Sequence, residues 1–394
     1  MDMVDFQPNT FDELDPDSPN FAIDAIDRLL PLAISRGASD VHLQPRKERW
    51  EILFRIDGVL SPAGTLPRSG ISDPVNRLMV IAGLPTYRSG QPMEGRLAWS
   101  DKQANDTEVS ARLGIYPTVH GPRAVIRLLR RDNSHDSVES LGLSDDVTTK
   151  LISLCDQTDG AILLSGPTGS GKTTTMYAML RRIADASPRR SVMTIEDPVE
   201  SVIDGISQSE LDASVGMTLA SALRSAVRQD SEVLLVSEIR DPETAEAALQ
   251  ASLTGHLVFS SLHATDIATS LRRLTHLGVP TYVVRSGIRA ILSQRLLRKI
   301  CPDCQGKHHG KCQACFGTGY GGGRIAISQC IEFDGSDPVG EAFADALEAG
   351  ASATQMRAAA DQAGGDDLRR RAAEYVSQGI TNQEEVYRVL GRSH

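Results

Sequence analysis

The chain has 394 residues, enough for two domains or for one domain with appendages. Apolar residues make up 40% and charged residues 23%, an ordinary globular balance, and no apolar run is long enough to suggest a membrane-spanning helix. The net charge of −10 sits at the ends, with six acids and no base in residues 1–20 and twelve acids against six arginines in 331–394, so a near-neutral middle gives no general case for nucleic-acid binding.

Residues 1–20 read as an acidic, disordered tail. They hold no basic n-region and no apolar h-region, so a signal peptide is not expected. From Phe21, FAIDAIDRLLPLAISRG places Ile23, Ile26, Leu29 and Leu30 at helical spacing, with Asn20 as the cap and Pro31 as a kink or break. VHLQP, WEILFRIDG, GRLAWS, TEVSARLGIYPT and RAVIRLLRR read as strands, and DPVNRLMVIAG as a helix. Residues 21–132 therefore form a small α+β domain. The next stretch, RDNSHDSVESLGLSDD, is polar and aperiodic, and residues 133–143 read as a linker.

Over 144–394 the pattern changes. AILLSG, SVMTIEDP, EVLLVSEIRD and HLVFSSLH are buried-strand candidates, separated mostly by the helical patterns MYAMLRRIAD, TLASALRSAVRQ and PETAEAALQASL. This alternation predicts an α/β fold, a mostly parallel sheet covered on both faces. From Pro280 the chain reads as helical to Lys299. The stretch 271–299, LRRLTHLGVPTYVVRSGIRAILSQRLLRK, is basic, with Arg272, Arg273, Arg285, Arg289, Arg295, Arg298 and Lys299, but its apolar interleaving suggests packing with snorkelled arginines rather than a nucleic-acid face. Residues 338–392 read as C-terminal helices.

The chemistry is concentrated in short motifs. Gly166, Pro167, Thr168, Gly169, Ser170, Gly171, Lys172, Thr173 and Thr174 match a phosphate loop, with a strand before and a helix after. Glycines let backbone amides curl around a β-phosphate, and the helix N-terminus adds a favourable dipole. Lys172 would reach the β- and γ-phosphates of ATP, and the Thr173 hydroxyl would bind Mg²⁺. Glu238 ends the apolar run VLLV and would orient that Mg²⁺ through water. TIEDPVE supplies Glu196, Asp197 and Glu200, one of which could polarise an attacking water. His256 and His263 flank the strand in TGHLVFSSLHATD, and His263, at its C-terminal end, is the better γ-phosphate sensor.

Six cysteines occur, at 155, 301, 304, 312, 315 and 330. Cys301, Cys304, Cys312 and Cys315 form CPDC and CQAC pairs whose spacing signals a structural Zn²⁺ site spanning 301–315. His308 and His309 could compete as ligands, although four thiolates suffice. Cys155 and Cys330 read as ordinary buried thiols.

These elements, in this order, resemble the secretion-motor ATPase family of type II secretion and type IV pilus systems. GPTGSGKTTT, TIEDPVE, VSEIRDPETAEAALQASLTGHLVFSSLHATD and LSQRLLRKICPDC are similar to its Walker A, Asp box, Walker B and His box, and cysteine motif. RGASDVHLQP, FRIDGVL and EVSARLGIYPTVHGPRAVIRLL resemble its second N-terminal domain. The resemblance implies a RecA-like P-loop domain over 144–394 preceded by a PAS-like domain. It makes Glu200 the catalytic glutamate, Glu238 the Walker B acid and His263 the His-box sensor. Arg112 and Arg127 would reach from the N-terminal domain toward the phosphates, and Arg224 and Arg228 would act from the ATPase domain, in a neighbouring subunit. It further implies a homohexamer in the cytoplasm that hydrolyses ATP to power pilin assembly or protein secretion. Such a motor is peripheral to the inner membrane, is held there by a platform protein, and takes no nucleic acid. Residues 131–143 would be its hinge. The alternatives are a pilus-retraction motor and a nucleic-acid translocase on the same core. Ser237 stands where the family has glycine, Pro122 where it tends to have glutamate, the loop between the cysteine pairs is short, and the additional N-terminal domain of secretion and extension motors is not expected.

Overall fold

The computed structural model describes residues 11–392 apart from 12, 69–71, 89, 102–106, 129–134 and 308–311. His308, His309, residues 1–10 of the expected tail and the first part of the expected hinge lie outside the described residues. The chain divides into two compact units. Unit 1 comprises Met1–Asp132 with Cys301–Gly323, and unit 2 comprises Asn133–Ile300 with Arg324–His394.

Unit 1 runs α1 (Phe21–Ser35), β1 (Asp40–Pro45), β2 (Arg49–Ile56), β3 (Val59–Pro67), α2 (Pro74–Ile81), β4 (Met93–Asp101), β5 (Thr107–Thr118) and β6 (Gly121–Leu128). Its sheet has the order β3-β2-β1-β6-β5-β4, and each pairing is antiparallel. Alternation puts Val41, Leu43, Ile52, Phe54, Leu113 and Ile126 on one face, in a core shared with Phe21, Ile26, Leu29 and Leu30 of α1. One face is thus packed and the other left to polar side chains, as antiparallel sheets allow. Pro31 does not break α1, which continues to Ser35. Burial of Leu29, Leu30 and Ala33 around it outweighs the hydrogen bond that proline removes. Phe11 departs from the disordered reading of residues 1–20. It is 1% exposed in this core, because an aromatic side chain buries enough apolar area to anchor the polar chain around it. The cysteine segment, which the sequence places with the ATPase region, groups with unit 1, where the Arg36 guanidinium lies 4.3 Å from the centre of the Phe316 ring.

Unit 2 runs α3 (Asp145–Cys155), β7 (Gly160–Ser165), α4 (Lys172–Asp185), β8 (Val192–Glu196), β9 (Ser207–Glu210), α5 (Leu219–Ala226), β10 (Val233–Val236), α6 (Pro242–Leu253) and β11 (Leu257–Leu262). It continues with α7 (Ile267–His276), α8 (Thr281–Gly287), β12 (Ile288–Ile300), β13 (Tyr320–Glu332), α9 (Pro338–Glu348), α10 (Ala353–Gln362), α11 (Leu368–Ser377) and α12 (Gln383–Leu390). Strand order is β13-β12-β7-β11-β10-β8-β9, with β12 through β9 parallel throughout. Alternate residues of each central strand enter opposite cores. Ala161, Leu163, Leu234, Val236 and Val258 face one, and Ile162, Leu164, Val233, Leu235 and Phe259 the other. Burial on both faces explains why these strands read as unbroken apolar runs.

The expected helix from Pro280 to Lys299 is corrected. Only α8 is helical, and Ile288–Ile300 is a strand beside β7. A buried apolar run has no period that separates strand from helix, and here pairing with the central strand decides.

Candidate functional site

The C-terminal ends of β7, β8, β10 and β11 open into one cleft of about 410 Å³. Thr168, Gly169, Gly171, Lys172, Thr173, Thr174, Glu196, Asp197, Glu200, Ser237, Glu238 and His263 line it. In an open parallel sheet this edge is where ligands bind, because the loops leaving the strands converge there with helix N-termini.

The phosphate loop leaves β7 at Ser165 and enters α4 at Lys172. Its shape needs two particular glycines. A Cβ at Gly166 would lie 2.4 Å from Ser170 Oγ, and Gly171 has φ +90° with the Gln294 amide nitrogen 2.6 Å from where its Cβ would stand. Gln294, on β12, clamps the loop: its Nε2 donates to Ser170 O at 2.9 Å, and its Oε1 accepts from Thr175 Oγ1 at 2.9 Å. Arg295 follows, donating to Thr265 O at 2.6 Å and to Gln294 O at 2.8 Å. Lys172 folds back on the loop, its Nζ donating to Gly166 O at 2.7 Å and Pro167 O at 3.1 Å. Burial lowers its pKa to about 8, partly opposed by the charges of Glu238 and Glu200.

Glu238 follows β10 and meets His263, which follows β11, with 3.2 Å between Oε2 and Nε2. Arg240 also pairs with Glu238. Burial lowers the His263 pKa, as does the charge of Lys172, with Glu238 acting the other way, so the ring is neutral at neutral pH. His256, at the other end of β11, bonds to Ala251 O at 3.2 Å instead. Of the three acids in TIEDPVE, Glu196 is 2% exposed and engaged by side chains, whereas Glu200 sits on the loop beyond β8. Ser170 Oγ and Ser237 Oγ are buried without a hydrogen-bond partner among the described residues. Those orphaned hydroxyls and the donor-lined loop suit a phosphate with its hydrated cation.

Arg224 and Arg228 are exposed at the end of α5 and do not line the cleft. In unit 1, Arg112 and Arg127 stand opposite one another on β5 and β6. The register continues to Arg96 on β4, Asp40 on β1 and Arg55 on β2, a single row across five strands. Arg127 Nε lies 3.1 Å from Asp40 Oδ1. Sequence reading missed Gln294, Tyr177, Arg240 and Arg324, all at or beside the cleft. Only Arg240 carried a signal, its place two residues after Glu238.

In unit 1 the four motif cysteines come together, with every Sγ within 4.8 Å of the others. Cys301 and Cys312 Sγ are 3.9 Å apart, and Cys304 and Cys315 Sγ are 3.6 Å apart. Each pair closes a similar turn: Gln305 N donates to Cys301 O and Gly317 N to Cys312 O, and the residue after each second cysteine is left-handed, Gln305 at φ 51° and Phe316 at φ 52°. The sulfur spacing is about the ~3.8 Å edge of a tetrahedron of thiolates on zinc and far too long for disulfides. Cys155 and Cys330 are buried apart from this cluster, and burial pushes both thiols up to about 12.

Three arginines of the basic stretch are engaged by acids. Arg285 pairs with Glu341, Asp345 and Glu348, Arg289 with Asp159, and Arg298 with Glu385.

The family model described as Type II/IV secretion system protein matches residues 16–388. The chain is 36% identical over 393 residues to the type II secretion system protein HxcR of Pseudomonas aeruginosa, covering 98% of this chain and 81% of that protein. It is 36% identical over 378 residues to the type IV pilus assembly ATPase PilB of Thermus thermophilus, covering 90% of this chain but 41% of that protein. Among solved structures, the Legionella pneumophila ATPase DotB matches with TM-score 0.71 at 22% identity, over 93% of this chain and 95% of that one. The pilus retraction motor PilT with bound ADP matches with TM-score 0.62 at 24% identity, over 92% of this chain and 96% of that one. These two likenesses establish the fold.

Proposed function

The chain belongs to the type II/IV secretion system protein family, and from that premise we propose that it is an ATPase motor of a pilus-assembly or secretion machine. The observation that carries this reading is the convergence of Lys172, Glu200, Glu238 and His263 on one cleft at the ends of parallel strands. Residues 166–174 hold the triphosphate through backbone amides, and Lys172 exchanges its loop carbonyls for the β- and γ-phosphates. Thr173 and Glu238 would hold Mg²⁺, which would supply positive charge against the phosphates. Glu200 accepts the proton of the attacking water, and neutral His263 reports on the γ-phosphate to Glu238.

Arg112, Arg127, Arg224 and Arg228 supply permanent planar charge for phosphoryl transfer, the last two in a neighbouring copy of a homohexamer. Cys301, Cys304, Cys312 and Cys315 hold a structural Zn²⁺. The motor works in the cytoplasm against an inner-membrane platform protein. Assembly or secretion is favoured over retraction by the curated relatives, HxcR and PilB. The pairing of Arg285, Arg289 and Arg298 with acids weighs against the nucleic-acid translocase, whose reading rests on that stretch.

The test separates binding from turnover. Glu200→Gln should bind a fluorescent ATP analogue as the native chain does and lower kcat by about 100-fold or more, the usual scale for a lost general base. Native turnover in Glu200→Gln would reject this assignment. Metal analysis should find one zinc per chain, absent from a Cys301→Ser/Cys304→Ser variant.

A further inference from the structure

The loop that carries Glu200 is suspended from side chains. Val199 N donates to Glu210 Oε2 at 3.2 Å. Glu200 N donates to Tyr177 Oη at 3.2 Å. Gln208 accepts from Ile203 N at 2.6 Å and donates to Ser201 O at 3.0 Å. Glu210 and Gln208 belong to β9, the strand that follows the loop, but Tyr177 belongs to α4. This is the helix that begins with Lys172 and Thr173, and Tyr177 lies four residues after Thr173, one turn on along the same face.

The polarity of the Tyr177 hydroxyl is set by its other neighbour. Glu196 is 2% exposed. It accepts from Thr194 Oγ1 at 2.6 Å, from Gln208 Nε2 at 3.1 Å and from the Tyr177 hydroxyl. A carboxylate only accepts, so Tyr177 donates its proton to Glu196 and turns a lone pair to Glu200 N–H. Burial, and then Glu196 itself, raise the phenol's pKa and keep that proton in place. A phenylalanine would keep the ring and lose the hydroxyl, and with it both the tie to Glu200 N and the hydrogen bond to Glu196, which keeps Thr194 and Gln208 as partners.

We propose that Tyr177 is a positioning residue for ATP hydrolysis, tying the Glu200 backbone to the phosphate-loop helix so that carboxylate and phosphate loop keep one geometry. The proposal rests on the assignment of Glu200 to hydrolysis. A side chain placed this way acts on the reaction step through Glu200 and leaves nucleotide binding to residues 166–174.

The experiment compares the full chain with Tyr177→Phe, Glu200→Gln and the double variant, under single-turnover conditions with excess enzyme. Tyr177→Phe should lower the cleavage rate about tenfold with KM and analogue affinity within about twofold of native. In the Glu200→Gln background it should change the residual rate less than twofold, because the group it positions is already disabled. Hydrogen exchange of segment 197–206 should accelerate in Tyr177→Phe while the early turns of α4 stay protected. Native cleavage by Tyr177→Phe would overturn the proposal, as would a tenfold loss repeated in full on Glu200→Gln or unchanged exchange in 197–206. Native cleavage by Glu200→Gln alone would instead reject the assignment of Glu200, and the proposal with it.

Discussion

The two sheets of this chain expose chemistry in opposite ways. Unit 2 buries both faces of a parallel sheet, so its reactive side chains can appear only at the strand ends, where Lys172, Glu200, Glu238 and His263 meet. Unit 1 buries one face of an antiparallel sheet and leaves the other polar, and its charges run across the strands as the row Arg96, Arg112, Arg127, Asp40, Arg55. An edge concentrates different groups into one cleft and suits a reaction. A face repeats one kind of group and suits distributed charge. Substitution should therefore be severe at the edge and graded on the face.

Each unit also holds a carboxylate between two arginines, and the pair sharpens the contrast. Glu385 is fully buried against Arg298 and Arg388, with contacts of 2.8 Å and 2.6 Å. Burial alone would raise its pKa, but the guanidinium hydrogen bonds prevail and hold it at about 2, against an ordinary 4.5. This depressed value means that the stabilisation is complete above about 4.5 and is lost as pH falls toward 2. Glu385→Gln should cost about 3 kcal/mol at neutral pH, because it leaves buried guanidinium charge uncompensated, and should flatten the acid limb of stability between those values. Chemical denaturation followed across pH checks both. On the face of unit 1, the role proposed for Arg127 predicts that Arg127→Ala lowers kcat about tenfold, with neighbouring Arg112 limiting the loss. Steady-state kinetics at saturating ATP measure it. Smallest of all, Asp40→Asn should change stability by less than about 1 kcal/mol: the Asp40 side chain is 9% exposed, but its partners Arg127 and Arg55 are 68% and 34% exposed and are solvated when released. Equal costs for Glu385→Gln and Asp40→Asn would erase the contrast.

The same difference governs what could be read from sequence. Edge residues come in contiguous motifs, an apolar run followed at once by its polar end, so Glu238 and His263 were visible from pattern. The arginine row was not, because its members are separated by 15 residues or more and only strand register joins them. Arg112 and Arg127 stood out by resemblance, and nothing marked Arg96. Ile288–Ile300 read as helix because a buried run looks alike in either conformation, and only its place beside β7 makes it a strand. Tyr177 sits among the apolar positions of α4 and reads as core, since the partner of its hydroxyl is 19 residues away. Phe11 was hidden by the acids around it.

The most direct test of the account is phosphate release from Mg-ATP by the native chain and by Lys172→Ala at equal concentration. The account predicts steady hydrolysis by the native protein and a rate lower by about 100-fold or more in the variant, with thermal unfolding little changed. Equal rates in the two proteins would contradict it.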